Sequence, residues 1–185
     1  MKLKLTLIIV SSLFTSISFA QDKKGSLVGL HFNLTDFKGT TSLKTPSTGS
    51  GYSSIANMAK GFSVSYWQGL TTRVDLSVKA NAVFYDFALR NRGIGGKTEI
   101  GLELEPTVNI RPVSDAAKLS PFLTTGFGVG LYNDKIGGYI PAGGGIQLNI
   151  EKFTYIFVQA QYKFTLTKKI LGDNLFYSIG FAQKI

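Results

Sequence analysis

Residues 97–111 alternate between apolar and polar side chains with a period of two. Ile100, Leu102, Leu104 and Val108 share one parity, and charged or polar residues take most of the other. Because successive side chains of a β-strand point to opposite faces, this pattern predicts a strand with one aliphatic and one charged face. Seven further segments follow the same rule. The eight predicted strands are residues 26–35, 60–68, 73–85, 97–111, 121–131, 139–150, 155–166 and 175–185.

The connections between these strands predict how they are arranged. The second, fourth and sixth are short, whereas the first and third, residues 36–58 and 86–96, are long. The predicted strands are 9 to 15 residues long, which is enough for the ~9–11 residues that a tilted transmembrane strand needs. Short turns at one end and longer loops at the other are typical of membrane barrels. We therefore predict an all-β fold, an eight-stranded antiparallel up-and-down transmembrane β-barrel.

The first twenty residues read as a secretory signal peptide. Lys2 and Lys4 precede a short apolar run, and the segment ends Ser18-Phe19-Ala20 before Gln21. This order is a charged region, an apolar region and a small-x-small cleavage site. A spanning helix would need ~20 apolar residues. We expect a signal peptide at residues 1–20, a barrel domain at residues 21–185, and a location in the outer membrane.

Composition narrows the chemistry. Charged residues make up 17% of the chain, against about 25% in a usual soluble domain. The formal net charge of +9 favours an anionic membrane surface, and the scattered Lys and Arg residues argue against nucleic acid. With no Cys and no zinc-type motif, neither a metal site nor a cofactor is predicted.

The polar faces of the predicted strands combine charges with glycine, which suits the narrow interior of an eight-stranded barrel. Charges buried there must be paired, because desolvation is otherwise prohibitive. We predict a plugged polar core, with a small pore or gate as the alternative. The predicted lumen network is Asp75, Lys79, Glu99, Glu103, Glu105, Arg111 and His31, with Asn33, Asn81, Gln147, Gln159 and Lys163 as hydrogen-bond partners.

Aromatic residues cluster near the predicted strand ends, as in the two interfacial girdles of membrane barrels. Ordinary β-propensity is the alternative explanation. Pro106 and Pro141 fall inside strands, where each should cause a bulge or irregular pairing. The predicted girdle is Tyr66, Trp67, Tyr85, Tyr132, Tyr139, Tyr155, Phe164 and Tyr177.

His31 is the only histidine and lies on the polar face of the first strand. A hydrolase or acyltransferase site would need a nucleophile, a base and an orienting group at the outer rim. The sequence offers His31 no rim partner of that kind. We therefore expect a hydrogen-bonded lumen histidine and no enzyme activity, with a lipid-modifying enzyme as the alternative.

Four stretches, at residues 61–77, 120–128, 140–147 and 177–181, resemble small outer-membrane β-barrel proteins of the OmpA/OmpX-like type. The resemblance covers essentially the whole mature chain and implies architecture rather than activity. The family's assembly signal has aromatic or apolar residues at the last and third-last positions; Ile185 fits this signal and Gln183 departs from it.

We expect a structural or surface-interacting protein without catalysis. Its long loops carry Lys38, Lys44, Arg90 and Arg92, which we expect to be solvated, with contact to anionic lipid headgroups as the alternative. The expected partners are outer-membrane lipids and the barrel-assembly machinery, and the expected state is a monomer. The alternatives are a soluble periplasmic lipocalin-like binder of small ligands and a narrow pore.

Overall fold

The computed structural model describes residues 25–37, 55–85, 98–113, 117–151, 153–167 and 172–185. The predicted signal peptide and the loop residues Lys38, Lys44, Arg90 and Arg92 lie outside these ranges. The described part of the chain is almost entirely strand, with one 3-10 turn at Ile55–Asn57. No helix in it is long and apolar enough to cross a membrane. The strands are β1 (Leu27–Asp36), β2 (Ala59–Gly69), β3 (Val74–Tyr85), β4 (Glu99–Ile110), β5 (Leu119–Gly126), β6 (Gly128–Tyr132), β7 (Lys135–Glu151), β8 (Thr154–Thr165) and β9 (Asn174–Lys184).

These strands form one closed antiparallel sheet. Except for β5 and β6, strands that follow each other along the chain pair with each other, and β1 also pairs with β9, which closes the ring. β5 and β6 lie in line between β4 and β7, so they are two halves of a single wall strand. The sheet is therefore an eight-stranded barrel, as predicted, and its closure leaves no free edge.

The two faces of the wall differ sharply. On β4, Leu102 and Leu104 are 53% and 49% exposed on the outside, whereas Glu103 and Glu105 are 4% and 0% exposed in the lumen. The same alternation runs around the barrel. Aliphatic side chains thus cover the outer wall, and polar side chains fill the interior.

The two ends of the barrel are defined here by their turns. The lower end holds the β2–β3 turn and the final residue Ile185, and the upper end holds the β6–β7 turn. At the upper turn Asn133 and Asp134 have φ values of 48° and 58°, the backbone that a two-residue hairpin turn with type I′ geometry requires. The predicted start of the sixth strand at residue 139 is therefore wrong, because the chain reverses in two residues and β7 begins at Lys135.

Pro106 and Pro141 flank one interruption of the wall. The pairs Leu104–Val129 and Thr107–Gly126 keep the same register on either side of it, so no bulge is present. Phe127, between β5 and β6, donates its N–H to the Pro106 carbonyl at 3.1 Å, but Pro106 has no N–H to return. On β7, Pro141 lies opposite Gly126 in the register. Because hydrogen-bonded pairs alternate along an antiparallel ladder, this pair also lacks the bond that a proline N–H would have donated. The irregular pairing predicted at these prolines is confirmed as a break, not a bulge.

Replacing Pro106 by valine is expected to restore the missing ladder bond, because residue 106 already faces Phe127 in register. Through-hydrogen-bond NMR coupling between the residue-106 amide and the Phe127 carbonyl should then appear. Pro121→Val is the matched control, since the β4–β5 ladder ends at Ile110–Leu123 and offers residue 121 no partner. Absence of the coupling in Pro106→Val would show that the break has another cause.

Candidate functional site

The lumen brings together charged side chains from three strands. Lys79 on β3 lies opposite Glu105 on β4 in the strand register. Lys163 reaches them from β8, on the far side of the lumen. Its Nζ atom lies 2.6 Å from Glu103 Oε2 and 3.3 Å from Glu105 Oε2. One cation therefore bridges two carboxylates in a fully buried position.

Hydrogen bonds add to the coordination of these carboxylates. Glu103 accepts from Asn81 Nδ2 at 3.1 Å and from the Tyr132 hydroxyl, and Glu105 accepts from the Tyr139 hydroxyl at 3.1 Å. On the other side of the cluster, Lys79 Nζ donates to Gln159 Oε1 at 2.6 Å. Buried charges are tolerated when they are paired and hydrogen-bonded in this way.

Both lysines contact the same aromatic ring. The Lys163 ammonium is 4.1 Å from the centroid of the Phe176 ring, and the Lys79 ammonium is 5.3 Å from the same centroid. Lys163 also lies 4.8 Å from the Tyr139 ring centroid. Such cation–π contacts gain strength where water is excluded. We call Lys79, Glu103, Glu105 and Lys163 the ion cluster.

The other predicted lumen charges lie apart from the ion cluster. Asp75 and Arg111 form a buried ion pair towards the lower end. Glu99 is half-buried at the upper rim, where it accepts a hydrogen bond from the Tyr85 hydroxyl at 3.1 Å. The six charged residues predicted as one network therefore occupy three places. Lys163, predicted only as a hydrogen-bond partner, is the central cation.

His31 is held by two serines inside the barrel. Its Nε2 lies 2.6 Å from Ser65 Oγ, and its Nδ1 lies 3.4 Å from Ser178 Oγ. Trp67 Nε1 donates to the same Ser65 Oγ at 3.0 Å, so this hydroxyl links the two rings. The His31 ring also packs so closely on Gly180 that a Cβ there would overlap it.

Five residues of the predicted girdle lie inside the barrel, so that prediction is wrong for them. Their side chains are at most 7% exposed, which excludes contact with lipid. Each has the parity of its strand's polar face, and adjacent strand residues point to opposite faces. Tyr66 and Phe164 are exposed, and Tyr177 is partly exposed. The five internal residues are Trp67, Tyr85, Tyr132, Tyr139 and Tyr155.

These aromatic residues form two layers, one at each end of the lumen. In the lower layer, Trp67 stacks on Phe157 with ring centroids 4.5 Å apart, and Phe122 meets both rings edge-on. In the upper layer, Tyr85 and Tyr132 lie 5.7 Å apart, and Phe37 contacts both rings edge-on. The lower layer is Leu27, Trp67, Phe122, Tyr155, Phe157 and Ala182, and the upper layer is Phe37, Ala59, Val83, Tyr85, Tyr132 and Tyr139.

Glycines on facing strands make room for these rings. Tyr139 lies over its cross-strand partner Gly128, and Phe122 lies over its partner Gly145. A Cβ added at either glycine would overlap the ring. An aromatic side chain that covers a cross-strand glycine compensates for the missing side chain there. The sequence signal for the internal aromatics was therefore present, as aromatic residues on the glycine-bearing face.

Comparison with known proteins identifies the fold. No protein-family model matches the chain, and no curated protein matches it. Among solved structures, Neisserial surface protein A aligns with a TM-score of 0.60 at 10% identity, covering 89% of this chain and 100% of that one. The N-terminal β-barrel domain of Pseudomonas aeruginosa OprF gives 0.55 at 10% identity, with 89% and 100% covered. The attachment invasion locus protein Ail of Yersinia pestis gives 0.55 at 11%, with 88% and 99% covered. The chain thus has the fold of small outer-membrane β-barrels.

Replacing Lys163 by methionine is expected to lower the free energy of unfolding by about 3–5 kcal/mol, because Glu103 and Glu105 would remain buried without their cation. Denaturant unfolding followed by the fluorescence of Trp67, the only tryptophan, measures this change. Lys135→Met is the control, since Lys135 is exposed at the upper turn, and its effect should stay within about 0.5 kcal/mol. Equal stabilities for the two variants would contradict the assigned role of Lys163.

Proposed function

We propose that this chain is an outer-membrane β-barrel protein with a packed polar lumen, acting in a structural or surface-interacting role without catalysis. One observation carries the proposal: the wall separates an aliphatic outside from a charged inside. Leu30, Leu123 and Ile136 are 66%, 69% and 69% exposed, while the ion cluster is buried. Lipid is the solvent in which such an outer surface is stable.

The same separation argues against a soluble lipocalin-like binder. A soluble barrel places its aliphatic face inside, where that face lines the cavity for a small ligand. Here the interior holds ion pairs and aromatic layers, and the apolar side chains cover the outer wall. A continuous apolar surface of that extent marks a membrane or protein contact, and it causes aggregation in water.

The packing of the lumen supports a plug over a pore. The ion cluster crosses the lumen from β3 and β4 to β8, and an aromatic layer lies on either side of it. An ion would have to displace stacked rings at each end and also compete with Lys163 for its carboxylates. The proposed protein is therefore non-conducting in its resting state.

The environment of His31 supports a structural role over a catalytic one. A nucleophilic serine needs an adjacent base and space for a substrate. Ser65 and His31 form such a pair, but Trp67 and Gly180 pack against it inside the barrel. The pair lies inside the barrel, away from the upper rim where a lipid substrate would enter. Fixing the orientation of the ring is the role that these contacts favour.

The outer wall and the closed sheet suggest the partners. Outward-facing apolar residues contact membrane lipid in this proposal, and the closed sheet needs no second copy to satisfy an edge. A monomer inserted by the barrel-assembly machinery is the arrangement that we propose. The resemblance of the solved structures above to this fold supports the outer membrane as its location.

Cell fractionation followed by a denaturing gel tests the membrane barrel directly. The protein should appear in the outer-membrane fraction, and unboiled samples should migrate differently from boiled ones, because the closed ring of hydrogen bonds resists detergent. Recovery as a soluble periplasmic protein with no difference on boiling would instead support the lipocalin-like alternative.

Ion flux into liposomes distinguishes the plug from a narrow pore. Wild-type protein should give no steady flux, since the ion cluster and both aromatic layers fill the lumen. Glu103→Leu should remain silent too, despite lower stability. If this variant gave steady flux while its unboiled and boiled samples still migrated differently on the gel, the ion cluster would be shown to close a pore.

A further inference from the structure

Within the described strands, the outer wall carries a single exposed charge between the two ends. Among the described strand residues that face outward between the two ends, every other exposed side chain is apolar or uncharged. The exception is Lys60, the second residue of β2, close to the upper end. A lysine on the lipid face has its lowest cost near the interface, where its ammonium reaches the headgroups. Its position is therefore compatible with insertion and calls for an anionic partner.

The neighbours of Lys60 on the wall are apolar. In the register, Lys60 lies between Leu34 on β1 and Phe84 on β3. Phe62, the next outward residue of β2, packs edge-on against Phe32 and Phe84, with centroid distances of 5.7 and 6.5 Å. Within the described ranges, no ion-pair partner faces the Lys60 ammonium. The Lys60 ammonium therefore lies at the edge of an apolar surface.

A groove of about 420 Å³ opens on the wall beside this surface. Gly144 and Ala160 form its shallow floor, and larger side chains, among them Phe32, Leu34 and Tyr177, form its sides. The strand register links the floor to the charge in one row, from Ala160 through Tyr177 and Leu34 to Lys60. Three inter-strand spacings separate Ala160 from Lys60, or about 14 Å. Because barrel strands tilt ~35–45°, this row is inclined to the membrane normal and descends about 9 Å, within the ~15 Å thickness of one leaflet.

We propose that Lys60 and this groove form a binding site for one anionic phospholipid-type lipid. The lipid phosphate meets the Lys60 ammonium at the upper interface, and one acyl chain lies over Gly144 and Ala160. This inference rests on the proposed membrane location of the barrel. The positive charge of Lys60 favours an anionic headgroup. The apolar lining of the groove and its floor of small residues favour an acyl chain.

Paramagnetic broadening in nanodiscs tests the site with the full-length mature protein. The discs contain phosphatidylcholine with a minor fraction of either phosphatidylglycerol or phosphatidylcholine that carries a spin label on its acyl chain. The amides of Gly144 and Ala160 should broaden more with the anionic lipid, by up to about fivefold, the preference that one lysine near a membrane surface provides. Lys60→Gln should abolish this preference. Lys135→Gln, which removes an exposed lysine from the upper turn, should retain it.

A second variant tests the groove independently of the charge. Ala160→Phe adds bulk on the exposed floor and should reduce broadening of the Gly144 amide by both labelled lipids. Equal preference in wild type and Lys60→Gln would overturn the proposed headgroup contact. Unchanged broadening in Ala160→Phe would overturn the proposed chain position. If neither lipid broadens any outward-facing amide of the wild type, the membrane location itself fails, which the boiling test reports separately.

Discussion

Closure of the sheet is the constraint on which the rest of this molecule depends. Once β1 pairs with β9, every strand residue must point either into a narrow lumen or onto the outer wall. A lumen of eight strands has room for side chains and little else. Charges placed there lose water, so each needs a partner across the interior, and Lys163 serves two carboxylates at once. The buried polar face follows from closure, and the aliphatic outer face follows from the same pleat.

Glycine and aromatic residues solve the problem of volume within this constraint. The charged side chains leave space at both ends of the lumen, and large rings fill it. A ring fits only where the facing strand has no side chain at the paired position. Gly128 provides this space for Tyr139, and Gly145 provides it for Phe122. The glycines on the polar face therefore act in packing, and the conformational freedom of glycine is not what these positions use.

The sequence predicted the strand count, the closure and the two faces, because each depends only on alternation and on connection lengths. The girdle prediction is wrong for Trp67 and Tyr139 because parity along the strand, and not nearness to a strand end, decides which side of the wall a residue occupies. The assignment of Lys163 as a minor partner failed for a different reason. Strand patterns predict neighbours along the sheet, whereas the contact of β8 with β4 crosses the lumen. The shared break at Pro106 and Pro141 needed the register, which alternation alone does not supply.

The filled interior limits where this protein can act. Among the described residues, a lumen whose charges are paired and whose ends are occupied by stacked rings leaves little room for a substrate. Any interaction with the surroundings must then use the outer wall or the ends of the barrel. On a wall that faces lipid, as proposed here, uncharged side chains are favoured, so a lysine there has a cost that its surroundings must offset. Lys60 lies where the wall, the interface and an open groove meet. In a protein whose other described wall positions follow the rule for lipid contact, this one departure is the best place to look for a specific function.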